Sequence, residues 1–156
     1  MKPLLVLVVA FGLALGGTRL WLGHVDYAWA GNVAMATMLV FTGIAHVPYA
    51  RGMAQMLPAW LPAKAAWVYG TGALEVAGGL GLLVPAWRPL AAACLLVFFV
   101  AIFPANVISA FKHLDYQRGT RTGPGPAYLW FRVPLQLLFL AWTWYFGLHR
   151  AGGLPG

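Results

Sequence analysis

The fold is decided by a long stretch with a single charged side chain: residues 88–110 read RPLAAACLLVFFVAIFPANVISA. This stretch exceeds the about 20 mostly apolar residues that a helix needs to cross a bilayer. Its uniform hydrophobicity also excludes a barrel strand, in which apolar and polar residues alternate. Four further segments share this character, and we predict that they also form membrane-spanning helices: 3–22, 29–49, 64–84 and 127–148. The sequence therefore predicts an all-α membrane protein with five transmembrane helices.

The composition of the whole chain excludes a soluble globular domain. Of its 156 residues, 62% are hydrophobic and 8% are charged, whereas soluble domains are about 45–50% apolar and about 25% charged. So few charged side chains cannot cover a surface that faces water. We therefore expect a single membrane domain over residues 1–156.

The charge balance and the cysteine count limit the partners and the chemistry. The net charge is +7, but no run of basic residues tracks a groove, which makes nucleic acid a poor partner. The excess positive charge suits anionic headgroups, so membrane lipids are the expected partners.

Cys94 is the single cysteine, which excludes an internal disulfide and a CxxC redox pair. The histidines lack the spacing of metal ligands, and no metal site is predicted.

The first segment, 3–22, resembles a secretory signal as well as a membrane helix. Lys2, the apolar run 4–15 and the small residues at its end fit a signal with a cleavage site. The apolar character continues to the end of the segment, and this favours an uncleaved helix. We predict an extra N-terminal helix and leave open whether residues 1–16 are ever removed.

The predicted orientation follows from the basic residues in the connections. One side of the membrane holds Lys2, Arg51, Lys64, Lys112, Arg118 and Arg121, and the other holds Arg19, Arg88 and Arg150. Because the side richer in Lys and Arg faces the cytoplasm, we place the protein in the cytoplasmic (plasma) membrane. Its N-terminus is predicted to be cytoplasmic and its C-terminus extracytoplasmic.

Two connections are longer than tight turns. Residues 48–62 are predicted to form one short helix between prolines, which either lies on the membrane as a connector or covers a cavity as a lid. Residues 112–126 end in Gly-Pro-Gly-Pro and are predicted to form an exposed loop.

Glu75 lies near the centre of the predicted membrane region. It follows Lys64 by eleven residues, about 16 Å along a helix. An ionised carboxylate at that depth needs a partner. Most residues on its helix face are small, which leaves room for a neighbouring helix, a water or a ligand. Two interpretations remain: a structural hydrogen bond between helices, or a functional site.

Arg132 and Gln136 share one face of the last predicted helix, because they are four residues apart. Arg132 lies about 9 Å from the end of that helix and keeps its charge almost anywhere. Its side chain therefore either extends outward to the headgroups or reaches inward toward Glu75.

Two further polar residues have competing interpretations. His46 lies in the last turn of the second helix and is either a satisfied interfacial residue or a proton-handling side chain. Asn106 follows Pro104 closely. It either repairs the hydrogen bond that the proline removes or presents its amide to a ligand.

These polar residues all fall in one half of the membrane, because alternate helices run in opposite directions. A random scatter would not favour one half. We therefore predict a polar pocket that opens toward the cytoplasmic leaflet, is lined by helices two to five, and contains His46, Glu75, Asn106, Arg132 and Gln136. No catalytic role is assigned to any of them.

Six short motifs follow one another between residues 30 and 147. They are Phe41-Thr-Gly-Ile-Ala-His46, Leu57-Pro-Ala-Trp-Leu-Pro62, Tyr69-Gly-Thr-Gly-Ala-Leu-Glu75, Gly78-Gly-Leu-Gly-Leu-Leu83, Phe103-Pro-Ala-Asn106 and Leu129-Trp-Phe-Arg-Val-Pro-Leu-Gln136. In this order and spacing they resemble the DoxX-like family of small integral membrane proteins. The resemblance implies a compact four-helix transmembrane bundle over 29–148, to which the 3–22 helix is an addition.

The resemblance also implies a functional setting. The name-giving members of that family are small subunits of a thiosulfate:quinone oxidoreductase. Other relatives associate with membrane oxidoreductase complexes or, more distantly, act as the receptor-assembly chaperone NACHO. The five polar residues occupy motif positions and are carried over as pocket-lining. The lone Cys94 argues against a direct sulfur relay or disulfide exchange.

Two functions from different classes follow. The first is a redox-associated protein whose pocket binds a quinone or a similar small lipophile, with Arg132, His46 or Asn106 as hydrogen-bond donors and Glu75 as a proton carrier. No flavin, haem or iron–sulfur motif occurs in the sequence. Electrons would come from a membrane oxidoreductase subunit or a bound substrate, and catalysis by this chain alone is left open. The alternative is an assembly factor or chaperone that docks helices of client membrane proteins.

Overall fold

The computed structural model describes residues 2–150, and this part of the chain is all-α. Its six α-helices are α1 (Lys2–Leu22), α2 (Tyr27–Ala45), α3 (Ala50–Ala54), α4 (Lys64–Leu83), α5 (Arg88–Phe111) and α6 (Leu129–Trp144). A 3-10 turn (Gly125–Tyr128) precedes α6, and a π-helical turn (Tyr145–His149) continues it. The five long helices lie within a few residues of the predicted segments, so the all-α prediction is confirmed.

Within residues 2–150, three helices are long and apolar enough to cross a membrane: α1, α2 and α5. These three spans suggest a membrane protein. The other two long helices differ from them for reasons visible in the sequence. The apolar run of α4 is interrupted by Glu75 and several glycines, and α6 has 16 residues before the π-helical turn begins.

Local sequence accounts for where the helices begin. The Asp26 side chain caps α2 by accepting a hydrogen bond from the backbone N–H of Trp29 at 2.9 Å. Pro89 occupies the first turn of α5, where its missing N–H costs no helical hydrogen bond. Both devices fix the start of a helix that contributes to the site described below.

Helices α2 and α4 approach closely through glycines. A Cβ atom on Gly72 would lie 2.8 Å from the Cβ of His46, and one on Gly43 would lie 2.8 Å from the carbonyl oxygen of Gly72. Gly79 faces the backbone of Ala36 in the same way. Small residues allow such contact between membrane helices, which have no hydrophobic driving force to bring them together. The glycine-rich face around Glu75 is therefore occupied by a neighbouring helix.

The N-terminal helix packs on the other helices. Leu7 is completely buried in the main apolar core, and the ring of Phe11 meets that of Trp142 edge-on, with centroids 4.9 Å apart. Near its end, the Thr18 hydroxyl accepts a hydrogen bond from the backbone N–H of Asp26 at 3.3 Å. Helix α1 is thus an integral part of the bundle. Its partners in the core are Met35, Met38, Leu39, Leu82, Leu95, Phe99, Leu135 and Phe139.

The two long connections pack against each other. The predicted short helix is α3, and the loop after α5 contains an antiparallel bridge between Asp115 and Thr120. Lys112 Nζ donates a hydrogen bond to the carbonyl oxygen of Gln55 at 3.0 Å. The rings of Tyr49 and Tyr116 meet edge-on at 6.1 Å. The two connections therefore form one cap at the end of the bundle where α2 finishes and α4 begins.

Candidate functional site

The most distinctive group of polar side chains surrounds a small cavity inside the bundle, which we call the inner cavity. Its volume is about 50 Å³. Five helices line it, through Pro3, Met38, Leu39, Thr42, Glu75, Phe99, Ile102, Arg132, Gln136 and Phe139. The structure thus brings three of the predicted site residues, Glu75, Arg132 and Gln136, to one space.

Pro3 shows that α1 also reaches the inner cavity. The sequence predicted a pocket lined by helices two to five, and that prediction omitted this contribution. Nothing in the sequence of the first segment, which reads as a uniformly apolar run, indicates which of its residues faces the bundle.

Glu75 projects from the middle of α4 toward α2 and is 7% exposed. Its Oε2 atom lies 3.9 Å from His46 Nδ1. The same Nδ1 atom is 2.9 Å from the carbonyl oxygen of Thr42. Because a carbonyl can only accept, Nδ1 carries the proton in that hydrogen bond. His46 therefore stands beside the carboxylate while its Nδ1 proton is engaged with its own helix.

Two polar atoms around the inner cavity are buried without a hydrogen bond. Within residues 2–150, neither Glu75 Oε2 nor Arg132 Nε has a partner. One is an acceptor and the other is a donor, and both belong to residues that line the same space. Buried polar groups are nearly always satisfied, by protein or by ordered water. This pair therefore marks a place where a polar molecule or group belongs.

The Gln136 amide makes a hydrogen bond that connects two helices. Its Nε2 donates a hydrogen bond to the carbonyl oxygen of Phe99 at 2.6 Å. The rings of Phe99 and Phe139 lie beside this bond, with centroids 6.0 Å apart. Gln136 thus joins α6 to α5 at the wall of the inner cavity.

The Asn106 side chain does not line the inner cavity. Its Nδ2 donates to the carbonyl oxygen of Ile102 at 3.2 Å, one turn back on its own helix. The structure therefore does not bring Asn106 to Glu75 and Arg132. The bond also differs from the expected repair, because the acceptor freed by Pro104 belongs to Val100.

A second space, which we call the outer hollow, lies on the exposed side of the α5–α6 pair. Its volume is about 440 Å³. All of its walls are aliphatic: Leu96, Val97, Val100, Ala101 and Leu140. Sequence reasoning missed it, because the hollow depends on how two apolar helices pack, and no polar residue lines it.

The chemistry open to the inner cavity is set by its size and its atoms. A cavity of about 50 Å³ exceeds the about 10–15 Å³ that one water requires but is far below the about 300 Å³ typical of small-ligand pockets. Its unpaired donor and acceptor suit a water, a carbonyl or a hydroxyl group. In residues 2–150, no group of three or more His, Cys, Asp or Glu side chains is arranged to hold a metal.

Comparison with known proteins gives one match. No curated protein and no solved structure matches this chain. Residues 35–147 match the family described as Domain of unknown function (DUF8561). This segment contains α4, α5 and α6, most of α2, and all the polar residues of the inner cavity. The chain therefore belongs to the Domain of unknown function (DUF8561) family.

Proposed function

We propose that this protein crosses the membrane five times, with α4 and α6 joining α1, α2 and α5 as spans. The helical stretch from α6 through the π-helical turn runs from 129 to 149, long enough for a bilayer. Exposed tryptophans near the ends of helices or in the connection before α4 suit the two membrane interfaces: Trp21, Trp60, Trp87 and Trp130. In the proposed orientation, the N-terminus and the cap formed by the two long connections face the cytoplasm, and the C-terminus lies outside.

The proposed function is binding of a quinone or a similar small lipophile through its polar head. The observation that carries it is the pair of unpaired polar atoms at the inner cavity, Glu75 Oε2 and Arg132 Nε, within the part of the chain that the structure describes. A ring carbonyl would accept from the guanidinium, and a ring hydroxyl would donate to the carboxylate. Because the cavity holds about 50 Å³, its walls must separate before a ring can enter.

The resemblance to the DoxX-like family supports a redox setting. The matching family is one of unknown function, and its matched segment overlaps almost all of residues 30–147, over which the DoxX-like motifs run. We propose a four-helix DoxX-like bundle that works with a membrane oxidoreductase subunit, which would exchange electrons with the bound lipophile. Glu75 and His46 would then hold or pass protons beside it.

The test compares lipophiles that remain bound to the protein purified in mild detergent, identified by mass spectrometry. Three proteins are compared: wild type, Glu75→Gln and Thr71→Val. Thr71 is the matched control, because it lies one turn from Glu75 and its hydroxyl donates to the Trp67 carbonyl of its own helix. We expect wild type and Thr71→Val to retain a quinone or similar lipophile that Glu75→Gln loses. Equal retention by all three would reject the proposed pocket.

A second candidate function, assembly of other membrane proteins, is favoured by open faces of small residues. A Cβ atom on Gly12 or Gly16 of α1 would meet nothing within 4 Å in residues 2–150, and Ala73 and Ala77 of α4 are exposed. Partner helices dock on such faces. The face around Glu75 is already filled by α2, so a client would bind these outer faces. A partner that Gly16→Leu displaces while the lipophile stays bound would favour this function.

A further inference from the structure

We propose that the inner cavity and the outer hollow are the two halves of one binding site, for a lipophile with a polar head and an aliphatic chain. The head would occupy the inner cavity, and the chain would lie in the outer hollow. This inference rests on the proposed function. It adds where the chain of the ligand lies and through which side of the bundle the ligand arrives from the lipid.

The two spaces share their walls. Phe99 and Phe139 line the inner cavity, and the residues next to them in sequence, Val100 and Leu140, line the outer hollow. The same two helices therefore present one side chain to each space at the same depth. The two spaces are therefore next to each other along α5 and α6.

Their chemistry is complementary to a single amphiphilic molecule. The inner cavity has an unpaired donor on Arg132 and an unpaired acceptor on Glu75 within residues 2–150. The outer hollow is almost nine times larger in volume, at about 440 Å³ against about 50 Å³, and its walls are purely aliphatic. Aliphatic walls without an aromatic surface suit a flexible hydrocarbon chain, while the head needs hydrogen bonds.

Two interactions lie between the spaces, and we call them the seam: the Gln136 bond to the Phe99 carbonyl, at 2.6 Å, and the Phe99–Phe139 ring contact. If Gln136 releases that carbonyl, its amide becomes a further donor for the head of the ligand. The bond that closes the seam can thus be exchanged for a bond to the ligand.

Both helices at the seam contain a proline that permits bending. Pro104 in α5 and Pro134 in α6 lack an N–H, so the helical hydrogen bonds to the carbonyls of Val100 and Trp130 cannot form. Sharp bends in helices occur mostly at proline. Pro104 lies one turn beyond Val100, on the part of α5 that must move for the seam to widen.

The experiment measures binding of two probes to the full chain in mild detergent by equilibrium dialysis. The probes are decylubiquinone and the same quinone without its decyl chain. Binding to Glu75→Gln is subtracted, which removes the ligand that partitions into detergent. Ala101→Trp fills the outer hollow, and Ala77→Trp, at an exposed alanine of α4, is the matched control. If Ala101→Trp does not accumulate in the membrane, Ala101→Leu is used in its place.

We expect Ala101→Trp to weaken decylubiquinone binding by at least about tenfold, equivalent to losing burial of about two methylene groups. Binding of the chainless quinone should stay within about twofold, because no hydrogen bond to the head changes. Equal decylubiquinone binding by Ala101→Trp and Ala77→Trp would overturn the outer hollow as the chain site and leave the proposed function standing. If neither probe shows binding that depends on Glu75, the proposed quinone function is rejected, and this inference with it.

Discussion

The two ends of the helix bundle differ in how the buried polar side chains are hydrogen-bonded. At one end, which we call the Asn32 end, α2 begins and α6 passes into the π-helical turn. At the other, the Glu75 end, α2 finishes, α6 begins and the inner cavity lies. Each end places polar side chains among apolar helices, where an unsatisfied group is costly. The difference lies in where their hydrogen bonds go.

The Asn32 end is closed by hydrogen bonds between helices. Asn32 Nδ2 donates to the carbonyl oxygens of Ala28 at 2.8 Å and Phe146 at 2.9 Å. Trp142 Nε1 donates to the carbonyl oxygen of Gly31 at 2.9 Å. These bonds tie the end of the last helix to the beginning of α2, and they use the amide N–H groups of Asn32 and the indole N–H of Trp142.

At the Glu75 end the contact between α2 and α4 is backbone packing, and one hydrogen bond, from Gln136 to the Phe99 carbonyl, joins α6 to α5. Gly43 and Gly72 bring α2 against α4, while Glu75 Oε2 and Arg132 Nε have no partner in the described part of the chain. At the Asn32 end, next to Trp142 in sequence, the Thr143 hydroxyl, 1% exposed, has no partner within residues 2–150 either. The comparison shows two roles for a polar residue in a membrane helix. It can join helices by hydrogen bonds, or it can keep an atom free to bind a ligand, and the packing of its neighbours decides which.

The largest effect is expected from Gly72→Ala, which tests whether packing holds the Glu75 end. The new Cβ would lie 2.8 Å from the Cβ of His46, and such overpacking costs about 1–3 kcal/mol. Unfolding in a denaturing detergent, followed by circular dichroism, measures the change. Gly70→Ala is the control, since a Cβ there meets nothing within 4 Å in residues 2–150. Equal stability of the two variants would contradict this account of the α2–α4 contact.

The next largest effect is expected from Asn32→Leu at the opposite end. The variant loses both bonds of the amide, one of them between helices, and interhelical hydrogen bonds in membranes contribute about 0.6–2 kcal/mol. The same unfolding measurement should show this loss while binding of lipophile remains at the wild-type level. Thr37→Val is the control, because that hydroxyl bonds only to the Val33 carbonyl of its own helix. If Asn32→Leu also abolished ligand binding, the division between the two ends would be wrong.

Trp142→Phe should give a smaller loss of stability. The indole hydrogen bond to Gly31 disappears, but an aromatic ring remains against Phe11. A single neutral hydrogen bond contributes about 0.5–1.5 kcal/mol. Trp130→Phe, at a residue that is 88% exposed, is the comparison in the same assay. A loss no greater than that of Trp130→Phe would show that the indole bond does not hold the Asn32 end.

The smallest effect on stability is expected from Glu75→Gln. The substitution keeps the shape of the side chain and breaks no hydrogen bond at Oε2, which has none among the described residues. The 3.9 Å contact with His46 Nδ1 remains but loses the charge on the Glu75 side. The free energy of unfolding should therefore stay within about 0.5 kcal/mol, the lower end of the loss for a single hydrogen bond. A drop as large as that of Asn32→Leu would assign Glu75 a structural role and remove the basis of the proposed site.

Much of the helical order could be predicted from the sequence, because hydrophobic run length is a local property. The grouping of Glu75, Arg132 and Gln136 also followed from depth, since alternating helices bring residues of one half together. The rotation of each helix could not be predicted. Asn106 bonds to its own helix, and α2 fills the small-residue face of α4. In a lipid environment hydrophobicity does not decide which face meets which, so the apolar pattern carries no such information.

The π-helical turn Tyr145–His149 has a consequence for how this chain tolerates changes in length. Such a turn accommodates one residue more than an α-helical turn. Deleting a single residue after Phe146 in this turn would therefore restore α-helical spacing and leave the register of the preceding helix unchanged. The carbonyl of Phe146 would still face Asn32, which it meets at 2.9 Å. The same deletion inside α6 would rotate that carbonyl by about 100° away from Asn32, so the π-helical turn is the place where the last helix tolerates the loss of one residue.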